Sequence, residues 1–83
     1  MSIVQEPIRL LEEIADLLAS NPTQDQLLAF RPSASVQERA RELLIRLNAG
    51  TISTDEQREL DQFEQAEMLM RLVKARLAGQ QQP

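Results

Sequence analysis

Two groups of acidic residues have the spacing that acid–base chemistry or cation binding would need. Each group places three carboxylates within five residues: Glu12, Glu13 and Asp16 in the first, and Asp55, Glu56 and Glu59 in the second. On a helix they would share part of one surface. A catalytic carboxylate also needs a pocket that shifts its pKa, and a chain of 83 residues has little room for one. A calcium site would need a glycine-bearing acidic loop, which is absent. The sequence therefore argues against catalysis or metal binding by these groups.

Nucleophilic catalysis has no support in the residue types present. The sequence contains no cysteine and no histidine, so a reactive serine would need a lysine as its base. The one lysine is Lys74, which lies in a charged stretch late in the sequence. With only two glycines, the chain also has no glycine-rich loop for phosphates. The sequence therefore predicts a protein that is not an enzyme, with no cofactor and no metal.

Four arginines in the centre of the chain are the candidates for phosphate contacts. Residues 31–50 contain only two acidic residues, Glu38 and Glu42. The four arginines in the same range are Arg31, Arg39, Arg41 and Arg46. A helix with such residues could enter a DNA groove, which gives the alternative interpretation of the chain as a small nucleic-acid-binding regulator. The net charge of −4 and the absence of tryptophan and tyrosine argue against that interpretation. We expect these arginines to lie on a solvated helix face.

The composition predicts an all-α protein, so helices must position these residues. Helix-favouring Leu, Ala, Glu, Gln and Arg dominate, and glycine and β-branched residues are few. Apolar spacing and capping signals predict a small bundle of three main helices plus one short helix, ending in a long helical hairpin. We expect a single helical domain over residues 1–79 and a disordered tail over residues 80–83.

The first half of the chain predicts one long and one short helix. The first helix is expected to begin at Pro7 and to stop at residues 20–22. Its predicted apolar stripe has helical spacing: Ile8, Leu11, Ile14, Ala15 and Leu18, widened by Leu10 and Leu17. Asn21 is expected to cap a short second helix that has Pro22 at its first position and ends before Pro32. Phe30 is expected to fill a gap between the larger helices, and the sequence leaves open whether residues 22–31 are fully helical.

The third helix is expected over residues 34–48. Its cap is either Ser33 or Ser35, and Ser35 forms a capping-box pattern with Glu38. Its predicted stripe consists of apolar residues: Val36, Ala40, Leu43, Leu44 and Leu47. Gly50 suits the left-handed residue that closes many helices.

The fourth helix is expected over residues 54–77, with Ser53 and Glu56 as a second capping box and Gly79 marking its end. Its second half has more apolar surface than one stripe can hold, and a small domain has only a modest core. We therefore expect a partner to cover the excess, with a homo-oligomer, and a dimer in particular, favoured. The alternative is that the first helix covers it within one chain. The expected interface is Phe63, Ala66, Met68, Leu69, Met70, Leu72, Val73 and Leu77.

Two segments carry a resemblance to a known family. The first is residues 28–33 (LAFRPS), followed by residues 36–39 (VQER). The second is residues 49–53 (AGTIS), followed by Glu56, residues 59–61 (ELD) and residues 74–76 (KAR). Over roughly residues 8–78 the chain resembles a family of short, mostly uncharacterised bacterial helical proteins, frequent in cyanobacteria. Some members look like antitoxin-type partners encoded beside small nucleases. The resemblance implies an antitoxin-like protein that binds and restrains a partner such as a small nuclease, and it implies no particular functional residues.

The chain carries no recognisable signal for export or for a membrane. Its first residues lack the basic start and long apolar run of a secretory signal. No stretch approaches the roughly 20 apolar residues that span a bilayer. The absence of cysteine fits a reducing compartment. We therefore expect a cytoplasmic protein-interaction module, and the sequence does not identify its partner or the process it serves.

Overall fold

The computed structural model describes residues 8–81, and in that range it contains helices and no strand. The four helices are α1 (Arg9–Ala19), α2 (Gln24–Ala29), α3 (Ala34–Ala49) and α4 (Thr54–Gln81). The predicted all-α class, with three main helices, one short helix and a long hairpin at the end, is confirmed. None of the helices described is both long enough and apolar enough to cross a membrane.

The hairpin between α3 and α4 forms where the local signals predict it. Gly50 has a left-handed backbone with φ of 73°, and the amide of Thr51 donates to the carbonyl of Arg46 at 2.9 Å. This arrangement satisfies carbonyls that the end of α3 would otherwise leave unpaired. At the start of α4, the Glu56 amide donates to Ser53 Oγ at 3.1 Å and the Ser53 amide donates to Glu56 Oε1 at 3.0 Å. Both predicted end signals are therefore confirmed.

The longest helix, α4, is the element against which the other three pack. Its 28 residues extend about 42 Å at about 1.5 Å per residue. Helices α1, α2 and α3 all contact it. Among the described residues, nine buried apolar side chains form the core: Ile8, Leu10, Ile14, Val36, Leu43, Leu60, Phe63, Ala66 and Met70. Phe30 is half-buried and packs against this core, as expected.

Two helix starts in the first part of the chain differ from those that the sequence predicts. Pro7, the expected start of α1, lies outside the described residues, and Ile8 is the N-cap. Asn21 does not cap α2. It adopts a left-handed backbone with φ of 55°, and Thr23 caps α2 through a capping box with Gln26. An asparagine tolerates the left-handed region better than most residues, so Asn21 serves the turn instead.

The structure selects one of the two candidate caps of α3 and moves the end of α4. Ser33, rather than Ser35, caps α3, because Ser33 Oγ accepts from the Val36 amide at 3.3 Å. Gly79 does not end α4, which continues to Gln81. One glycine costs a helix only about 1 kcal/mol relative to alanine, so a glycine alone does not stop it. Gln80 and Gln81 are thus helical and not part of a tail, and residues 82–83 lie outside the described part of the chain.

Some residues of the predicted apolar stripes face solvent. On α1, Leu10 and Ile14 are buried, whereas Ala15 and Leu18 are exposed. On α3, Val36 and Leu43 are buried, and two further leucines of the predicted stripe are exposed: Leu44 and Leu47. Both helices carry more apolar residues than one buried stripe uses, and packing against α4 selects among them.

Candidate protein interface on the last helix

Three large apolar side chains are exposed on the second half of α4. Met68, Leu69 and Leu72 expose 49%, 50% and 45% of their surfaces. Leu72 is four positions after Met68 and three after Leu69, and residues at these two spacings are neighbours on a helix surface. Met70 of the same helix is buried in the core, so this area lies away from α1, α2 and α3. We call Met68, Leu69 and Leu72 the outer patch.

The other predicted interface residues lie on the inner side of α4. Phe63, Ala66 and Met70 are buried in the core of the chain itself. Val73 and Leu77 are half-buried. The eight predicted residues therefore divide between two faces of α4. A partner that meets the folded chain can reach the outer patch, but Phe63, Ala66 and Met70 are already covered.

Charged side chains of opposite sign lie on either side of the outer patch. Asp61 and Glu64, which precede it, line a shallow depression of about 450 Å³ together with Gln65 and Met68. Arg76 follows the patch one turn after Leu72. Within residues 8–81, none of these three charged groups has an ion-pair partner. Asp61 accepts a hydrogen bond from the side-chain amide of Gln57 at 3.2 Å, and Arg76 donates one to the carbonyl of Leu72 at 3.4 Å. This face of α4 thus has an acidic end, an apolar centre and a basic end.

The arginines of α3 are paired with carboxylates. Arg39 donates to Glu59 through Nε at 2.8 Å and through Nη2 at 3.0 Å, and to Glu42 at 3.1 Å. These hydrogen bonds, above all those with Glu59, raise the pKa of Arg39 above its ordinary value. Arg41 pairs with Glu38 at 3.0 Å.

A further ion pair joins Arg46 to Glu56 across the hairpin. Of the four central arginines, three therefore have their charge balanced within the chain. The fourth, Arg31, is exposed in the connection between α2 and α3. Balanced arginines offer little net charge to a phosphate backbone, which binds chiefly through positive charge.

Most carboxylates of the two acidic groups have structural partners. Glu13 accepts a hydrogen bond from the Ser33 amide at 2.9 Å and lies 3.8 Å from Arg9. Glu56 caps α4 and pairs with Arg46, and Glu59 pairs with Arg39. Glu12 and Asp16 are exposed on α1. In the described range, no three acidic side chains come together in a way that could hold a metal ion. Glu13, Glu56 and Glu59 therefore serve the packing and capping of the helices.

A groove on the inner side of α4 was not predicted from the sequence. It has a volume of about 290 Å³, and its apolar walls come from three parts of the fold: Leu10, Ile14, Phe30, Pro32, Ala66 and Met70. At its rim the Lys74 ammonium donates to the carbonyl of Phe30 at 2.8 Å. That bond joins α4 to the end of α2, 44 residues earlier. No local pattern could have indicated the groove, because its walls are distant in sequence.

A second exposed apolar area lies on α3. Ile45 exposes 61% of its surface, and Leu44 and Leu47 are exposed beside it. The spacing of apolar residues predicted that Leu44 and Leu47 would be buried, and it gave no role to Ile45. Among the described residues, the arginines beside this area are both paired, Arg41 with Glu38 and Arg46 with Glu56.

No protein-family model matches the chain, and comparisons with the curated proteins and with the solved structures gave no match. The function is therefore inferred from the surface of the molecule itself.

Proposed function

We propose that this protein is a non-enzymatic interaction module that self-associates through the outer patch of α4. The observation that carries the proposal is the exposure of Met68, Leu69 and Leu72 on one side of a helix whose other side is already packed. About half of each of these side chains meets water in the single chain. Covering them would be favourable by roughly 25 cal/mol for each Å² of apolar surface removed from water.

The small size of the domain supports the same proposal. In the part of the chain that the structure describes, nine buried side chains form the core, and the sequence has no cysteine to add a disulfide. Domains of this size often gain their remaining stability by oligomerisation. An apolar area rimmed by charged residues is also the usual anatomy of a protein interface, with an apolar centre and a polar rim.

The test is to measure the molecular mass of the protein in solution by sedimentation equilibrium over a range of protein concentrations. We expect the wild type to form dimers at micromolar concentrations and Leu72→Asp to remain a folded monomer. Ile45→Asp is the matched control, because it places the same charge in the other exposed apolar area. A wild type that stays monomeric at high micromolar concentration would refute self-association. Dissociation by Ile45→Asp but not by Leu72→Asp would move the interface to α3.

A protein partner of another kind is proposed as an extension. The family resemblance implies an antitoxin-like role, and the net charge of −4 suits contact with a basic nuclease. The test is co-expression with a nuclease encoded next to this gene. We expect the wild type to lower the activity of that nuclease and Leu72→Asp to lower it less. Equal nuclease activity with and without this protein would contradict the antitoxin-like role.

The alternative of a nucleic-acid-binding regulator has weaker support. It depended on the central arginines, and Arg39, Arg41 and Arg46 each contact a carboxylate. A salt-sensitive change in the fluorescence anisotropy of a labelled DNA duplex at low salt, lost in Arg41→Ala, would favour this alternative over the interaction module.

A further inference from the structure

We infer that two copies of this protein pair through α4 in an antiparallel orientation, so that the basic end of each outer face meets the acidic end of the other. The inference rests on the proposed self-association and adds its geometry. It follows from the spacing of exposed residues along α4 and from the separation of unpaired charges on the two sides of the outer patch.

The exposed face of α4 has the spacing of a helix-pairing seam. Its members alternate steps of four and three residues, and all of them are exposed: Asp61, Gln65, Met68, Leu72, Ala75 and Gly79. Such a repeat of about 3.5 residues keeps one face of a helix against a partner helix over several turns. The apolar members, Met68 and Leu72, are at the centre of this seam. The seam is longer than the outer patch and shares Met68 and Leu72 with it, while Leu69 lies beside the seam.

Antiparallel pairing brings the apolar members of the seam together. Met68 and Leu72 lie equally far on either side of position 70, so a twofold axis at that position places Met68 of each copy opposite Leu72 of the second copy. The same axis places Gln65 opposite Ala75, where a long side chain meets a short one. A twofold axis repeats every such contact, so each pairing occurs twice in one interface.

The charges select this orientation over the parallel one. In the antiparallel pair, Arg76 of one copy lies level with the region of Asp61 and Glu64 of the other, which is the acidic depression. In a parallel pair, Arg76 would meet Arg76 and Asp61 would meet Asp61, which places like charges together. Opposed like charges disfavour an arrangement, and complementary charges favour it. Because none of these groups has an ion-pair partner within the described chain, no existing pair has to break.

The shape of the acidic depression agrees with this pairing. Its four lining residues follow the spacing i, i+3, i+4 and i+7: Asp61, Glu64, Gln65 and Met68. Four residues at that spacing form the hole that receives one side chain of a facing helix in a coiled coil. In the antiparallel pair the residues at this level are Ala75 and Arg76 of the second copy. The small Ala75 allows close approach, and Arg76 brings its charge to the two carboxylates.

Disulfide trapping distinguishes the orientations because the natural chain contains no cysteine. Gln65→Cys and Ala75→Cys are prepared separately, mixed in equal amounts and oxidised mildly. Mass spectrometry then identifies the linked peptides. We expect disulfides between position 65 of one copy and position 75 of the other to dominate. Ala29→Cys, an exposed residue on α2, replaces Gln65→Cys in the control mixture and should give only background cross-linking with Ala75→Cys.

The outcomes separate the two proposals. A monomeric wild type in sedimentation refutes self-association and with it the orientation. A dimer that gives links from 65 to 65 and from 75 to 75 refutes only the antiparallel orientation. A dimer with no link at either position, in any mixture, also refutes the seam, since the interface would then lie elsewhere.

A charge swap within one chain gives a second, independent test. Arg76→Glu should raise the dissociation constant of the dimer by about tenfold, because two attractive contacts become repulsive. Adding Asp61→Arg and Glu64→Arg to the same chain should restore most of the affinity, since each glutamate at position 76 again meets positive charge. In a parallel dimer the charges at position 76 would still face each other with one sign, so the added changes would not restore the affinity. That result would overturn the antiparallel orientation.

Discussion

Arg39 on α3 donates two parallel hydrogen bonds to the carboxylate of Glu59 on α4, from Nε at 2.8 Å and from Nη2 at 3.0 Å. The planar guanidinium matches a carboxylate in this two-bond geometry, which makes it stronger than a single contact. Glu42 accepts from the same arginine at 3.1 Å. The pair links α3 to α4 across the hairpin.

Replacing Glu59 should therefore weaken the hairpin. We expect Glu59→Ala to lower the free energy of unfolding by about 1 kcal/mol, because Arg39 would lose both bonds of a partly buried pair. Urea unfolding at low protein concentration measures this effect. Glu38→Ala is the control, since its pair with Arg41 is exposed and should contribute less than about 0.5 kcal/mol. Equal losses in the two variants would contradict a special role for the Arg39–Glu59 pair.

Lys74 should stabilise the fold through one long-range hydrogen bond. Its ammonium donates to the Phe30 carbonyl at 2.8 Å, at the end of α2. Lys74→Met keeps the apolar part of the side chain and removes the donor, so we expect a loss of about 1 kcal/mol in unfolding free energy. Arg71→Met, on the same rim but without a recorded hydrogen bond, should change it by much less. A Lys74→Met variant as stable as the wild type would show that water replaces the lost donor.

The two candidate caps of α3 can be distinguished by alanine substitution. Ser33 Oγ accepts a hydrogen bond from the Val36 amide, whereas the Ser35 hydroxyl is hydrogen-bonded to the Ser33 hydroxyl at 3.1 Å. We expect Ser33→Ala to cost about 1 kcal/mol and Ser35→Ala only a few tenths. Thermal unfolding followed by circular dichroism compares them. The reverse order would indicate that α3 begins two residues later in solution.

Local signals in the sequence were sufficient for the ends of the hairpin. The cap formed by Ser53 and Glu56 and the left-handed Gly50 depend on residues within a few positions of one another, so composition and spacing predict them. Local signals were not sufficient at the start of α2. Asn21 and Thr23 both suit a helix cap, and the choice between them depends on the turn that joins α1 to α2.

Which side of a helix is buried could not be predicted in the same way. Along α4, two apolar stripes exist at helical spacing, one through Ala66 and Met70 and the other through Met68 and Leu72. Spacing alone treats them alike, and the packing of α1, α2 and α3 decides between them. The sequence therefore predicted an apolar excess on α4 but assigned both stripes to one interface.

Aspartate substitutions at neighbouring positions should separate folding from association. Met70 is buried among core residues, so Met70→Asp would place an unpaired charge in an apolar environment and should unfold the chain. Leu69→Asp places the same charge on the outer patch, where half of the side chain already meets water. We expect a native circular dichroism spectrum for Leu69→Asp and a largely unfolded one for Met70→Asp. A folded Met70→Asp would mean that this part of α4 is not packed as described.

Association should also make the thermal stability depend on concentration. A dimer that dissociates on unfolding gains stability as the protein concentration rises, by mass action. We expect the Tm of the wild type to rise by several degrees over a hundredfold increase in concentration, because a gain of 1 kcal/mol shifts the Tm of a domain this small by about 4–8 °C. Leu72→Asp should keep one Tm throughout, close to that of the dilute wild type, since its side chain is exposed in the single chain.

Differential scanning calorimetry measures both proteins under matched conditions. A wild-type Tm independent of concentration would contradict self-association through the outer patch, whereas a parallel rise in both proteins would place the interface at a surface that Leu72 does not touch.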